Sequence, residues 1–121
     1  MKLCVTGTRD GRLDVAYWLD RWVRRFGYPE LLILGDARGV DTEALCWCRE
    51  RQLIRKECVD RSLPSPQRYL ERNERMARHV GPGDWCLGFP GPHSRGTYHA
   101  MRLCELRGAR VYACPVREEP L

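Results

Sequence analysis

Short apolar runs alternate with amphipathic stretches along the whole chain, and glycine stands at most of the junctions between them. This rhythm constrains the fold more than any other feature, because strands and helices in strict alternation build parallel βαβ units. Residues 2–6 form a β-like run that ends at Gly7. Across residues 14–26, Val15, Leu19, Trp22, Val23 and Phe26 fall on one helical face, and Gly27 followed by Pro29 stops the helix. The wholly apolar run 31–34 suits a strand covered on both faces. Residues 35–41 read as a turn and 42–52 as a helix with Ala44, Leu45 and Cys48 turned inward. A weaker strand spans 55–59, a break 62–66, a polar helix 67–79 and a second break 81–83. A fourth strand at 85–89 leads through the turn 90–96 into a helix at 97–107, which Gly108 ends before a fifth strand at 110–114. Five strands and four helices predict an α/β fold, a Rossmann-like three-layer sandwich around a five-stranded parallel sheet. With 121 residues there is room for one domain, expected over 1–115, with 116–121 as a flexible tail.

No run reaches the length of a membrane span and no leader pattern opens the chain, so a cytoplasmic protein without membrane contact is expected. The seven cysteines fit that compartment. Their number is odd, and Cys46 and Cys48 lie two apart on a predicted helix, where side chains diverge. Cys4, Cys86 and Cys114 fall in apolar runs that read as strands, and Cys46, Cys48 and Cys104 in helical patterns. All are expected to serve as small buried hydrophobes, with no metal site and no cofactor. The net charge of +5 comes with 19 arginines against Lys2 and Lys56. Arginine suits bidentate phosphate recognition, so the excess is compatible with an anionic ligand or with nucleic acid.

In open parallel sheets ligands bind outside the carboxyl ends of the strands, where strand order reverses. The turns after strands one, two and four therefore carry the candidate chemistry. The first reads Gly7-Thr8-Arg9-Asp10-Gly11, offering close backbone approach, a hydroxyl and a guanidinium. The second reads Gly35-Asp36-Ala37-Arg38-Gly39-Val40-Asp41 and opens a helix, whose free amides and dipole favour an anion. Asp41 there either caps the helix or receives a ligand hydroxyl. The third runs from Gly88 to Thr97 and includes Gly91, His93, Ser94, Arg95 and Gly96, again at a helix start. It fits neither a Walker loop nor the dinucleotide fingerprint. On the polar helix, Tyr69, Asn73, Met76 and Val80 share a face. Asn73 either bonds local backbone or turns its amide to a base or ribose. His79 ends a helix, whereas His93 and His99 flank the last turn.

Taken together, GTRD, GDARGVD, RNERM and FPGPHSRGT, in that order and spacing, resemble the SLOG superfamily, the Rossmann-like group of the DNA-processing protein DprA and the LOG phosphoribohydrolases. The similarity is greatest to the short YspA-like branch of bacterial and phage proteins and extends over nearly the whole chain. It implies a nucleotide or nucleotide-derived ligand, with phosphate held by the turns after the second and fourth strands and a pocket lined by Gly7, Arg9, Arg38, Gly39, Asp41, Asn73, Gly91, Gly96 and Thr97. It also implies a homodimer or larger assembly, for which Tyr17, Trp18 and Trp47 are candidate exposed aromatics. Two positions depart from the pattern. Asp36 stands where the branch carries a second glycine, and Ala100 stands where the LOG hydrolases carry a catalytic glutamate. Alanine cannot protonate a leaving group, so Asp36, Asp41 and His99 are the remaining acid–base candidates for an enzyme. The leading expectation is a nucleotide sensor or sequestering module. A LOG-type nucleotide N-glycosidase or phosphohydrolase and a single-stranded nucleic-acid binder are the alternatives. The last is disfavoured because aromatics are not interleaved with the arginines.

Overall fold

The computed structural model describes residues 1–117. Its elements follow the expected order: β1 (Lys2–Gly7), α1 (Val15–Phe26), β2 (Leu31–Leu34), α2 (Val40–Trp47), β3 (Ile54–Lys56), α3 (Gln67–Ala77), β4 (Trp85–Phe89), α4 (Arg95–Leu106) and β5 (Arg110–Ala113). The five strands form one all-parallel sheet in the order β3-β2-β1-β4-β5. The chain therefore winds outward from β1 to β3 and then returns to the other side of β1 at β4. This is a doubly wound α/β fold of Rossmann-like build, with its switch point between β1 and β4.

The period-two alternation of the strands divides the core in two. Leu3 and Val5 of β1, Leu32 and Leu34 of β2, and Leu87 and Phe89 of β4 face one side, where α1 and α2 cover them with Val15, Leu19, Trp22, Val40 and Ala44. Cys4, Ile33 and Cys86 face the other side, beneath Met76 and Ala77 of α3 and Met101 and Cys104 of α4. Among the described residues, no helix is long and apolar enough to cross a membrane.

Several boundaries differ from the sequence reading, for tertiary reasons. Helix α2 begins at Val40 and ends at Trp47, because Cys48 turns extended at ψ 145°. Gln52, expected to close that helix, instead donates its side-chain amide to the Pro29 and Leu53 carbonyls. The inward residues are consequently Val40, Asp41 and Ala44, while Leu45 is exposed and Cys48 half-buried. Strand β3 covers three residues, all exposed, as suits a short edge. Helix α3 ends two residues early and α4 starts two residues early, at Arg95.

The start of the expected tail is hydrogen-bonded to the domain. The Pro115 carbonyl accepts from Arg12 and from the Trp18 indole, and the Arg117 amide donates to Asp14. The rest of the predicted tail lies outside the described residues. Tyr17, Trp18 and Trp47 are half-buried rather than free, and the Trp47 indole donates to Asp20 at 2.8 Å. Not all the cysteines are interior: Cys4, Cys86, Cys104 and Cys114 are buried, whereas Cys46 and Cys58 are exposed.

Candidate functional site

A cleft of about 1220 Å³ opens at the carboxyl ends of the strands, between the turns after β1, β2 and β4 and the start of α3. The turns meet on Thr8. Its amide donates to the Phe89 carbonyl of β4, and its own carbonyl accepts the Val40 amide at the start of α2. Two glycines make this junction possible. Gly39 sits at φ +80°, and a side chain there would come within 2.4–2.5 Å of the Arg9 and Thr8 carbonyl oxygens. At Gly91 a side chain would press on the Thr8 hydroxyl at 2.9 Å. These glycines pack turn against turn, and neither lines the cleft. Gly96 differs, since a side chain added there would meet nothing within 4 Å.

Helix α4 presents its first turn to the cleft. Ser94 does not cap it, because its hydroxyl accepts the Gly91 amide at 2.6 Å. The amides of Arg95, Gly96 and Thr97 are left as the free donors that every helix start carries. Arg95, Arg9 and Arg38 stand exposed around the cleft. Among the described residues, none of these three has a carboxylate within 4.0 Å. Arg9 instead lies over the Tyr69 ring, 4.4 Å from its centre.

The floor has the opposite character. Asp41 is the second residue of α2, and only 6% of it is exposed. One carboxylate oxygen accepts the Ala37 amide at 3.1 Å, and the other is buried without a partner among the described residues. Burial pushes its pKa up to about 6, against the pull of the Arg72 charge and the Ala37 hydrogen bond. Gly35 makes room for this arrangement: a side chain there would stand 2.8 Å from the Asp41 carboxylate and 3.3 Å from the Arg72 guanidinium. The start of α2 thus already carries a carboxylate, and the anion-favouring helix start is that of α4.

Asp36 turns away from the cleft. Its carboxylate accepts from Arg72 at 2.7 Å and from the Val59 amide at 3.0 Å. Burial pushes its carboxyl up, but these two partners outweigh burial and hold it below its ordinary value. A residue so engaged anchors α3 and the segment after β3, and the structure gives it no place among the cleft's acid–base groups. Asn73 is buried and saturated. Its amide nitrogen donates to the Gly96 carbonyl and contacts the His99 Nδ1, each at 3.2 Å, while its oxygen accepts from Arg72. It ties α3 to the start of α4. With Nδ1 accepting, the His99 ring carries its proton on Nε2.

Of the residues singled out in the sequence, Gly7, Thr8, Arg9, Arg38, Asp41 and Asn73 line the cleft, as do Ser94, Arg95, Gly96, Thr97 and His99. Gly35, Asp36, Gly39 and Gly91 stand behind it. Tyr69, Arg72 and Tyr98 line it without having been chosen as ligand contacts. Tyr69 is the one with a sequence signal, standing one helical turn before Asn73 on the same face.

Fold and cleft together define a doubly wound α/β domain with a ligand-sized depression at its switch point, basic at the rim and acidic at one point of the floor. No protein-family model matches the chain, and no curated protein is similar to it.

Proposed function

We propose that the cleft binds a nucleotide or nucleotide-derived ligand through its phosphate, and that the protein acts as a sensor or sequestering module for it. The observation that carries this reading is the set of three guanidiniums that, among the described residues, have no carboxylate partner and that line the same cleft as the start of α4. The resemblance to SLOG proteins points the same way. A phosphate at the α4 start leaves the ligand's hydroxyls to face the unpartnered oxygen of Asp41.

The test is a thermal-shift panel of AMP, ADP, ATP, GTP, NAD, ADP-ribose and cyclic nucleotides, with each mixture then chromatographed for conversion. A ligand at about 100 times its dissociation constant adds about 2.7 kcal/mol, a shift of many degrees in a domain this size. Intact recovery of the ligand supports binding alone. A panel without any shift removes the proposal. Arg9→Ala, Arg38→Ala and Arg95→Ala are each expected to weaken the best ligand about tenfold by calorimetry, the worth of one charge-assisted hydrogen bond.

A second reading, nucleotide hydrolysis of the N-glycosidase or phosphohydrolase kind, is favoured by Asp41 itself. A buried carboxyl with a pKa of about 6 is matched to proton transfer near neutral pH. Asp41 and His99 are its acid–base pair, since Asp36 is engaged elsewhere and Ala100 is buried in α4. New products in the panel that vanish with Asp41→Asn and His99→Ala would establish it.

A further inference from the structure

Three cysteines far apart in the sequence meet inside the domain. Cys4 lies on β1, Cys86 stands directly opposite on β4, and Cys104 comes down from α4, which covers that face. Their sulfurs all lie within 4.8 Å of one another, and all three are free thiols that are 0–1% exposed. Linear spacing hid this cluster, because each ligand comes from a different element.

We propose that Cys4, Cys86 and Cys104 form a binding site for a soft monovalent cation, Cu(I). Thiolates select soft metals, and the number and kind of donors narrow the choice. Zinc in a structural site takes four ligands, whereas among the described residues this group offers three sulfurs and no histidine, carboxylate or fourth cysteine. Cu(I) accepts a three-sulfur environment. The thioethers of Met76 and Met101 belong to the same buried cluster and add to its soft character.

Charge favours the same ion. Net charge in an apolar interior is costly, and a monovalent cation is neutralised by a single thiolate. Each thiol that coordinates as thiolate releases its proton to solvent. The two strands are neighbours at the centre of the sheet, so two of the ligands are held in place before α4 docks. Because the site is closed, loading accompanies folding rather than following it.

The full-length protein is refolded anaerobically with Cu(I) supplied as its acetonitrile complex, then desalted against the Cu(I) chelator bicinchoninate. Wild type is expected to retain a single equivalent, with only sulfur in the first shell by X-ray absorption. The variant Cys46→Ser/Cys48→Ser/Cys58→Ser is expected to retain it equally, because it leaves the cluster intact, and Cys104→Ala is expected to lose it. Failure of wild type to retain copper would overturn the proposal. So would loss of copper from the triple variant, its retention by Cys104→Ala, or oxygen or nitrogen in the first shell. The triple variant and the absorption spectrum decide the matter without altering the three-cysteine cluster. Zn(II) offered in parallel is expected to wash out, and its retention in place of copper would equally overturn the assignment.

Discussion

Replacing Asp14 by alanine is expected to cost about 3–5 kcal/mol of stability, the range for removing one partner of a buried ion pair. Asp14 is 1% exposed and sits where the β1–α1 turn enters its helix. Its carboxylate accepts from the Arg12 guanidinium, the Trp18 indole and the Arg117 amide. Arg12 in turn donates to the carbonyls of Cys114 and Pro115 beyond β5, and its side chain is 5% exposed. With alanine at 14, the guanidinium stays buried with carbonyls alone, and the turn loses its tie to the end of the sheet. At about 4–8 °C per kcal/mol, the melting point should fall by more than about 12 °C. Burial pushes the Asp14 carboxyl up, but its bonds to Arg12, Arg117 and Trp18 hold it below its ordinary value of 3.8. The native state therefore binds fewer protons here than the unfolded chain, and this contribution is present above pH 3.8 and lost as pH falls through the folded pKa. Denaturation of wild type and Asp14→Ala at pH 7 checks the magnitude. A loss below about 1 kcal/mol would mean that Arg12 finds solvent instead.

The sheet was legible because strands covered on both faces read as continuous apolar runs and because glycine marks where each one ends. Residues 31–34 and 85–89 emerge with the bounds read from the sequence. What was not legible depends on partners distant in sequence. The helical spacing through Cys48 and Gln52 continues past the point where the Gln52 amide binds the Pro29 carbonyl, so local pattern runs on where tertiary bonding has stopped the helix. Asp36 looks like a cleft residue by position, and only the approach of Arg72 from α3 decides that it faces the other way. A cleft lies at the turns after β1, β2 and β4 that the sequence singled out, with Gly7 and Gly96 lining it and Gly39 and Gly91 behind it. Gly39 lets backbone approach backbone and Gly91 lets the turn pack on the Thr8 side chain, requirements that a turn motif does not distinguish from close approach to a ligand. Arg12 and Asp14 gave no signal as a pair, because two charges flanking Leu13 at a predicted helix start resemble any solvated pair.

Asp41→Asn is expected to move stability and affinity in opposite directions. The Asp41 carboxyl titrates at about 6 in the folded protein against 3.8 ordinarily, so the native state binds the extra proton across that window. A raised carboxyl pKa means that folding opposes ionisation, and the penalty grows as pH rises from about 4 and is complete above about 6. Raising the pKa from 3.8 to about 6 corresponds to about 3 kcal/mol. Asparagine keeps an oxygen to accept the Ala37 amide and carries no charge to bury, so the variant should be more stable than wild type by about 1–3 kcal/mol at pH 8. The gain should shrink to a small remainder near pH 3.8 and vanish well below it, where the Asp41 carboxyl is protonated in both states. The comparison is between variant and wild type at each pH, because Asp14, Asp36 and Glu57, held below their ordinary values, shape the total profile the other way. If the ligand binds as proposed, with its hydroxyls toward the unpartnered carboxylate oxygen, losing that charge should weaken binding about 10–100-fold. A stabilised protein that binds poorly would mark Asp41 as a group kept ionised against the fold's own preference. A destabilised variant would show instead that the carboxylate's attraction to Arg72 outweighs the cost of burying it, and unchanged affinity would show that no ligand group reaches it.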